Sequence, residues 1–243
     1  MKNKFNRSLQ KTALGACLAA SISPAAFATD FSVSVENLTR GIHFTPLLVA
    51  AHTDGTALFS AGSAASAELQ AMAEGGDSSG LETMVDGLGA TRVSNPASGL
   101  LVPGASTTAN LNTDGTSNDS LSIVGMMLPT NDGFVGLNAI EIPTEAGTYT
   151  FYANGYDAGT EANDEIRGSG AVGESGFPAP GPIDTGALSA GTDGTGVSAT
   201  AESFVHIHRG ALGDTNSAAG ESDLDSTVHR WLNPIAKITI TVN

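Results

Sequence analysis

The chain has 243 residues, 25 of them acidic against 10 basic, for a net charge of −15 at pH 7, and one cysteine. So acidic a surface repels phosphate backbones and excludes nucleic-acid binding, while it suits solubility and draws divalent cations. A lone cysteine excludes an internal disulfide framework, and this length holds one β-domain or two small ones.

Met1 to Lys11 is basic and free of acids, Thr12 to Ser23 is apolar and small, and Ala26-Phe27-Ala28 offers a small-x-small cleavage site. The pattern predicts a secretory signal peptide over residues 1–28, with an apolar run too short to span a membrane. Leu14-Gly-Ala-Cys17 has a faint lipoprotein character, but the apolar run continues past it and the better site lies downstream. Cleavage removes Lys2, Lys4, Arg7 and Lys11 and no acid, so four of the ten cations leave and the charge of −15 becomes −19. Cys17 leaves with them. The expectation is a secreted protein, periplasmic or extracellular, with one domain over 29–243.

Phe31-Ser-Val-Ser-Val35 alternates strictly and reads as a strand, and Leu47 to Ala51 as a buried one. His52-Thr-Asp54-Gly55 is a turn; His43 and His52 read as loop polar residues, since a lone histidine has no metal spacing. Ser63 to Ala73, rich in Ala, Glu, Leu and Met, predicts a short helix stopped by Gly75-Gly76, and Leu81 to Leu88 a second. Ser98 to Val102 and Thr107 to Leu111 read as short strands split by Pro103-Gly104.

Leu121 to Ile166 organises the rest. Leu121 to Leu128, Phe134 to Ile142 and Tyr149 to Ala153 read as three strands bounded by Pro, Asn, Asp and Gly. Two acidic turns interrupt them, Pro129-Thr-Asn-Asp132-Gly and Tyr156-Asp157-Ala-Gly159-Thr-Glu161. In an antiparallel meander these turns meet at one end of the sheet, where carboxylates gather for a hard cation. The Pro-x-x-Asp turn at Pro129 to Asp132, Val135-Gly136-Leu137 and Asp157-Ala158-Gly159-Thr160-Glu161 together resemble the amino-terminal domain of the spondins. The chain has Glu161 where that family usually has Asp, Gly133 where an aromatic is usual, and Tyr156 where Trp is frequent. The resemblance implies an antiparallel β-sandwich that binds calcium (Ca2+) through Asp132, Asp157 and Glu161. Six to eight oxygens satisfy calcium, so Asn131, Asp164 and Glu165 stand nearby in reserve. The plainer reading is that Asp132 and Asp157 cap turns through their own backbones.

Gly168 to Thr200 carries Gly at nine positions with Pro178, Pro180 and Pro182 between them. It reads as one long, mobile Gly/Pro-rich loop that buries little apolar surface. From Val197 to His208 alternation returns, with Phe204, His206 and His208 on one face. Two imidazoles side by side on a strand suit zinc or copper; with no third partner identifiable, the pair reads first as a solvent face beside Arg209. Asp214, Glu221, Asp223 and Asp225 form another acidic loop. His229 to Pro234 is a turn anchored by Trp231, and Ile235 to Val242 the last strand. No nucleophile elbow, phosphate-cradling loop or His-Glu-x-x-His helix is present, so no catalytic pattern stands out and the His206 and His208 pair is the best clue to an enzyme.

The sequence therefore predicts an all-β protein: an antiparallel β-sandwich of about eight or more strands with short helical insertions. Its leading function is a calcium-stabilised module for adhesion to an extracellular protein or polysaccharide. The alternatives are a metal-dependent enzyme or metal carrier using His206 and His208, and a calcium-dependent membrane binder. So few basic residues disfavour the last on anionic lipid.

Overall fold

The computed structural model describes residues 30–243; the predicted signal peptide, its cleavage site and Cys17 lie outside them. The strands are β1 (Asp30–Asn37), β2 (His43–Phe44), β3 (Leu48–His52), β4 (Thr91–Ser94) and β5 (Ser106–Asn112). Then come β6 (Ser120–Leu128), β7 (Gly133–Glu141), β8 (Gly147–Asp157), β9 (His206–Ile207) and β10 (Ala236–Val242). Two helices, α1 (Ala67–Gly75) and α2 (Ser79–Gly87), separate β3 from β4.

One continuous antiparallel sheet runs β4-β3-β6-β7-β8-β10-β1-β5, with β2 on β6 and β9 on β8. Its edge strands β4 and β5 lie against each other, so the sheet curls nearly into a barrel. The two layers expected of a sandwich are thus two halves of one sheet. β8 is the strand that joins them. Its first part, Gly147 to Ala153, pairs with β10, and its last part, Asn154 to Asp157, pairs with β7.

Burial follows the side-chain pattern. In β1, Phe31, Val33 and Val35 face the core while Ser32, Ser34 and Glu36 face outward, and β5 and β10 alternate likewise. β3 and β6 are buried at every position, because α1 and α2 cover their outer face. That is why both read as unbroken apolar runs rather than alternating ones. Ser66 caps α1 by accepting the Leu69 N–H at 3.2 Å, and Gly76 closes the helix at φ 72°. Ser66→Ala should cost about 1 kcal/mol in a denaturant melt, the usual worth of such a cap.

Two expected strands come out shorter. Of the strand expected over Ser98 to Val102, only Leu101 pairs, in a bridge to Phe44, because Ser98 (φ 57°) and Gly99 (φ 147°) break the extended run. β9 is two residues long, because Ser203 at φ 68° turns the chain just before it.

Gly168 to Thr200 is irregular apart from a 3-10 turn at Gly186–Ser189. It buries more apolar surface than its composition suggests: Phe177, Ile183 and Leu188 are all in the core. Three widely spaced apolar anchors suffice because carboxylates elsewhere satisfy the loop's backbone. Glu74 on α1 accepts the Gly173 N–H at 2.6 Å, and Asp223 accepts those of Arg167 and Thr192 at 2.7 Å each.

Candidate metal centre

The meander brings the two acidic turns to one end of the sheet. β7 starts at Gly133, directly opposite Asp157 at the end of β8. The Ala158 N–H donates to the Asp132 carbonyl at 3.1 Å. Asp132 Oδ2 then accepts the Thr160 N–H at 2.7 Å and the Glu161 N–H at 3.0 Å. One carboxylate oxygen of Asp132 therefore caps the turn that follows Asp157. Its other oxygen, Oδ1, is buried without a hydrogen-bond partner among the described residues. Burial, followed by the neighbouring Asp157 charge, pushes the Asp132 carboxyl up to about 7. Asp157 is fully buried and raised by that burial; its Oδ1 accepts the Gly159 N–H at 2.8 Å and its Oδ2 the Asn163 amide at 2.6 Å.

Glu161 has a partner of its own. Its carboxylate accepts the Gly176 N–H of the Gly/Pro-rich loop, and burial pushes it up to about 7. The structure thus brings Asp132 and Asp157 together, while one oxygen of the Glu161 carboxylate is taken by the Gly176 N–H. The reserve residues are also engaged. Asn131 bridges Asp164 and the Glu165 N–H, and the Glu165 carboxylate accepts the N–H groups of Leu212 and Gly213 and the Ser222 hydroxyl.

What joins Asp157 instead arrives with β9. His206 lies opposite Asp157 in the β8–β9 pair, and its Nε2 stands 3.7 Å from Asp157 Oδ1 and 3.8 Å from Glu202 Oε2. Asp157, Glu202 and His206 each offer a ligand atom, and the three atoms lie within 4.8 Å of one another. His208, on the same face of the chain, approaches Asp157 from the other side, with Nε2 3.9 Å from Oδ2. Its ring packs on Trp231 at a centroid distance of 4.9 Å, and its Cδ2 would stand 3.1 Å from a methyl group at Gly133. Such a methyl group would meet Thr130 Oγ1 first, at 2.6 Å, and crowd this ring less. Burial, with help from Arg209 and His206, pushes His208 down to about 3, so the ring is neutral.

Four buried polar atoms around Asp157 lack a hydrogen-bond partner among the described residues: Asp132 Oδ1, Glu202 Oε2, His206 Nε2 and His208 Nε2. Such orphans are costly unless something occupies the space between them. Both histidines are visible in the sequence, and the partner they lacked there is Asp157. Glu202 carries no sequence signal. Four residues from His206 along a strand it would lie far off, and only the Ser203 turn folds it back.

The Spondin_N family model matches residues 17–166, well over half of the chain. The match includes Asp132, Asp157 and Glu161 and ends before Glu202, His206 and His208. No curated protein matches the chain. Among the described residues no helix is long and apolar enough to cross a membrane.

Proposed function

This chain belongs to the Spondin_N family, and from that we propose that it is an extracellular β-domain. In this reading a divalent cation at the Asp157 end of the sheet locks its binding loops. The carrying observation is the set of orphaned buried atoms converging on Asp157. A cation there gives the unpaired carboxylates a counter-charge and ties β9, with the loops on either side of it, to the meander. The loop end so fixed is the surface that would meet an extracellular protein or polysaccharide. A strongly acidic chain also concentrates cations around itself.

The calcium reading implied by the spondin resemblance uses Asp132, Asp157 and Glu161. In its favour, Asp132 keeps one buried oxygen free beside Asp157. In it the Glu161 carboxylate, one oxygen of which accepts the Gly176 N–H, offers its other oxygen to the ion.

Thermal melts test the cation reading itself. Stripping with chelator should lower the melting temperature, and an excess of the right ion should restore it by mass action, worth about 2.7 kcal/mol at a hundred times the dissociation constant. Asp157→Asn should lose that response. The reading fails if protein shown to be metal-free by mass spectrometry melts at the same temperature with chelator, with calcium and with zinc.

A further inference from the structure

We propose that the Asp157–Glu202–His206 group is a site for a zinc-class transition ion rather than calcium. The proposal rests on the cation reading above and names the ion that reading leaves open. The first argument is donor chemistry. Calcium takes oxygen ligands only, whereas an imidazole nitrogen with two carboxylates is a zinc-type set.

The second argument is the tautomer of His206. Its Nδ1 faces the Ile207 carbonyl oxygen at 2.9 Å. A carbonyl can only accept, so Nδ1 is the nitrogen that donates to it, and Nε2 is the nitrogen left to face a metal. Nε2 is the atom aimed between Asp157 and Glu202, buried and unpartnered. A ligand histidine held from behind by a carbonyl is the usual outer-shell arrangement of metal sites.

The third argument separates the two histidines. The Gly210 N–H donates to His208 Nδ1 at 3.0 Å, so Nδ1 is the accepting nitrogen and Nε2 carries the proton. His208 therefore aims an N–H, not a lone pair, at Asp157 Oδ2. Its side chain is 4% exposed, unpartnered at Nε2 and directed into the cluster from the buried side. It is a positioning residue for the Asp157 carboxylate. The ligands His206 and Glu202, at 26% and 28% exposure, sit on the open side. Three protein donors leave a fourth place for water or an outside ligand, as in zinc sites that are not purely structural. Two of the three donors, Glu202 and His206, lie beyond the stretch that matches the family, and Asp157 lies within it.

The experiment is equilibrium dialysis of the chelator-stripped full chain against zinc alone and calcium alone, with metal counted per protein and cobalt as a spectroscopic substitute for zinc. The expected result is one zinc per chain. Cobalt should give the intense visible bands of a low-coordinate nitrogen–oxygen site. His206→Gln and Glu202→Gln should each weaken zinc binding at least tenfold, while their melts in chelator stay near wild type because both side chains are partly exposed. His208→Gln should keep the zinc, with affinity lowered less than by His206→Gln. Zinc uptake indifferent to His206→Gln and Glu202→Gln would mean adventitious binding and overturn the proposal. So would one calcium per chain without zinc, an outcome that leaves the cation reading standing. A chain that binds neither ion overturns both.

Discussion

Gly159→Ala is expected to destabilise the protein by about 3–5 kcal/mol and to abolish its response to metal. Gly159 lies in the left-handed region at φ 69°, where a side chain is strained. Conformation is the smaller part of the cost. A methyl group there would stand 2.3 Å from the Phe204 carbonyl oxygen and 2.6 Å from its nitrogen. Those are backbone atoms of the segment that leads into β9, and the Ser203 N–H donates to the Gly159 carbonyl at 2.7 Å. The two chains touch main chain to main chain, so relief requires the Glu202–His206 segment to move off β8. Left-handed strain and forced overpacking each cost roughly 1–3 kcal/mol. Displacing that segment also draws Glu202 and His206 away from Asp157. Denaturant melts in chelator measure the first effect and zinc or calcium melts the second. If the variant stayed within 1 kcal/mol of wild type, the close approach of these two turns would be wrong, and with it the account of how Glu202 reaches the site.

That contact also shows where the sequence stops being readable. The meander of β6, β7 and β8 is legible because each strand is apolar, short and bounded by turn residues. Once strands alternate in direction, the meeting of Asp132 with Asp157 follows from topology alone. α1 is legible from its Ala, Glu, Leu and Met content and from Gly75-Gly76, which stop it, although it starts at Ala67 rather than Ser63. The direction of the Glu161 side chain is not. Asp132 and Glu161 lie in one motif, but the Gly176 N–H that claims the Glu161 carboxylate comes from a loop whose path only tertiary packing fixes. The same holds for Glu202, which reaches Asp157 through a left-handed Ser203, a conformation that serine adopts rarely. The Gly168 to Thr200 loop is read correctly as irregular from its Gly and Pro content. Phe177 escapes that reading, since composition averages over a single deeply buried ring. Residues whose position follows from strand order and local turns are legible; those placed by a loop that only tertiary packing brings near are not.

The last expected result is a pH dependence with two opposing limbs, seen in the metal-free protein. Glu161, ordinarily near 4.5, is held at about 7 in the fold by burial. Between those values the unfolded chain has released the proton and the fold still holds it. Stability from this group is therefore present below about 4.5 and lost as pH rises toward 7. Asp132, raised from 3.8 to about 7, acts in the same direction. His208 acts in the opposite one. It is lowered from 6.5 to about 3, so the unfolded chain takes up a proton that the fold refuses. Stability from His208 is complete above 6.5 and falls as the solution is acidified toward 3. Each pKa unit corresponds to about 1.4 kcal/mol. Glu161 is within partial reach of solvent, which reduces its effect to about 2 kcal/mol between pH 4.5 and 8. Glu161→Gln, which can still accept the Gly176 N–H, should match wild type at pH 4.5 and exceed it by that amount at pH 8. His208→Gln should flatten the acid limb, its stability falling less than that of wild type between pH 7 and pH 5. Calcium bound through Glu161 reverses the first result, because the ion holds that carboxylate ionised and removes the loss above pH 4.5. Urea melts at pH 4.5, 6 and 8, in chelator and then in calcium, distinguish the cases. Curves for wild type and Glu161→Gln that run parallel in chelator across this range would show that Glu161 is not held protonated by the fold.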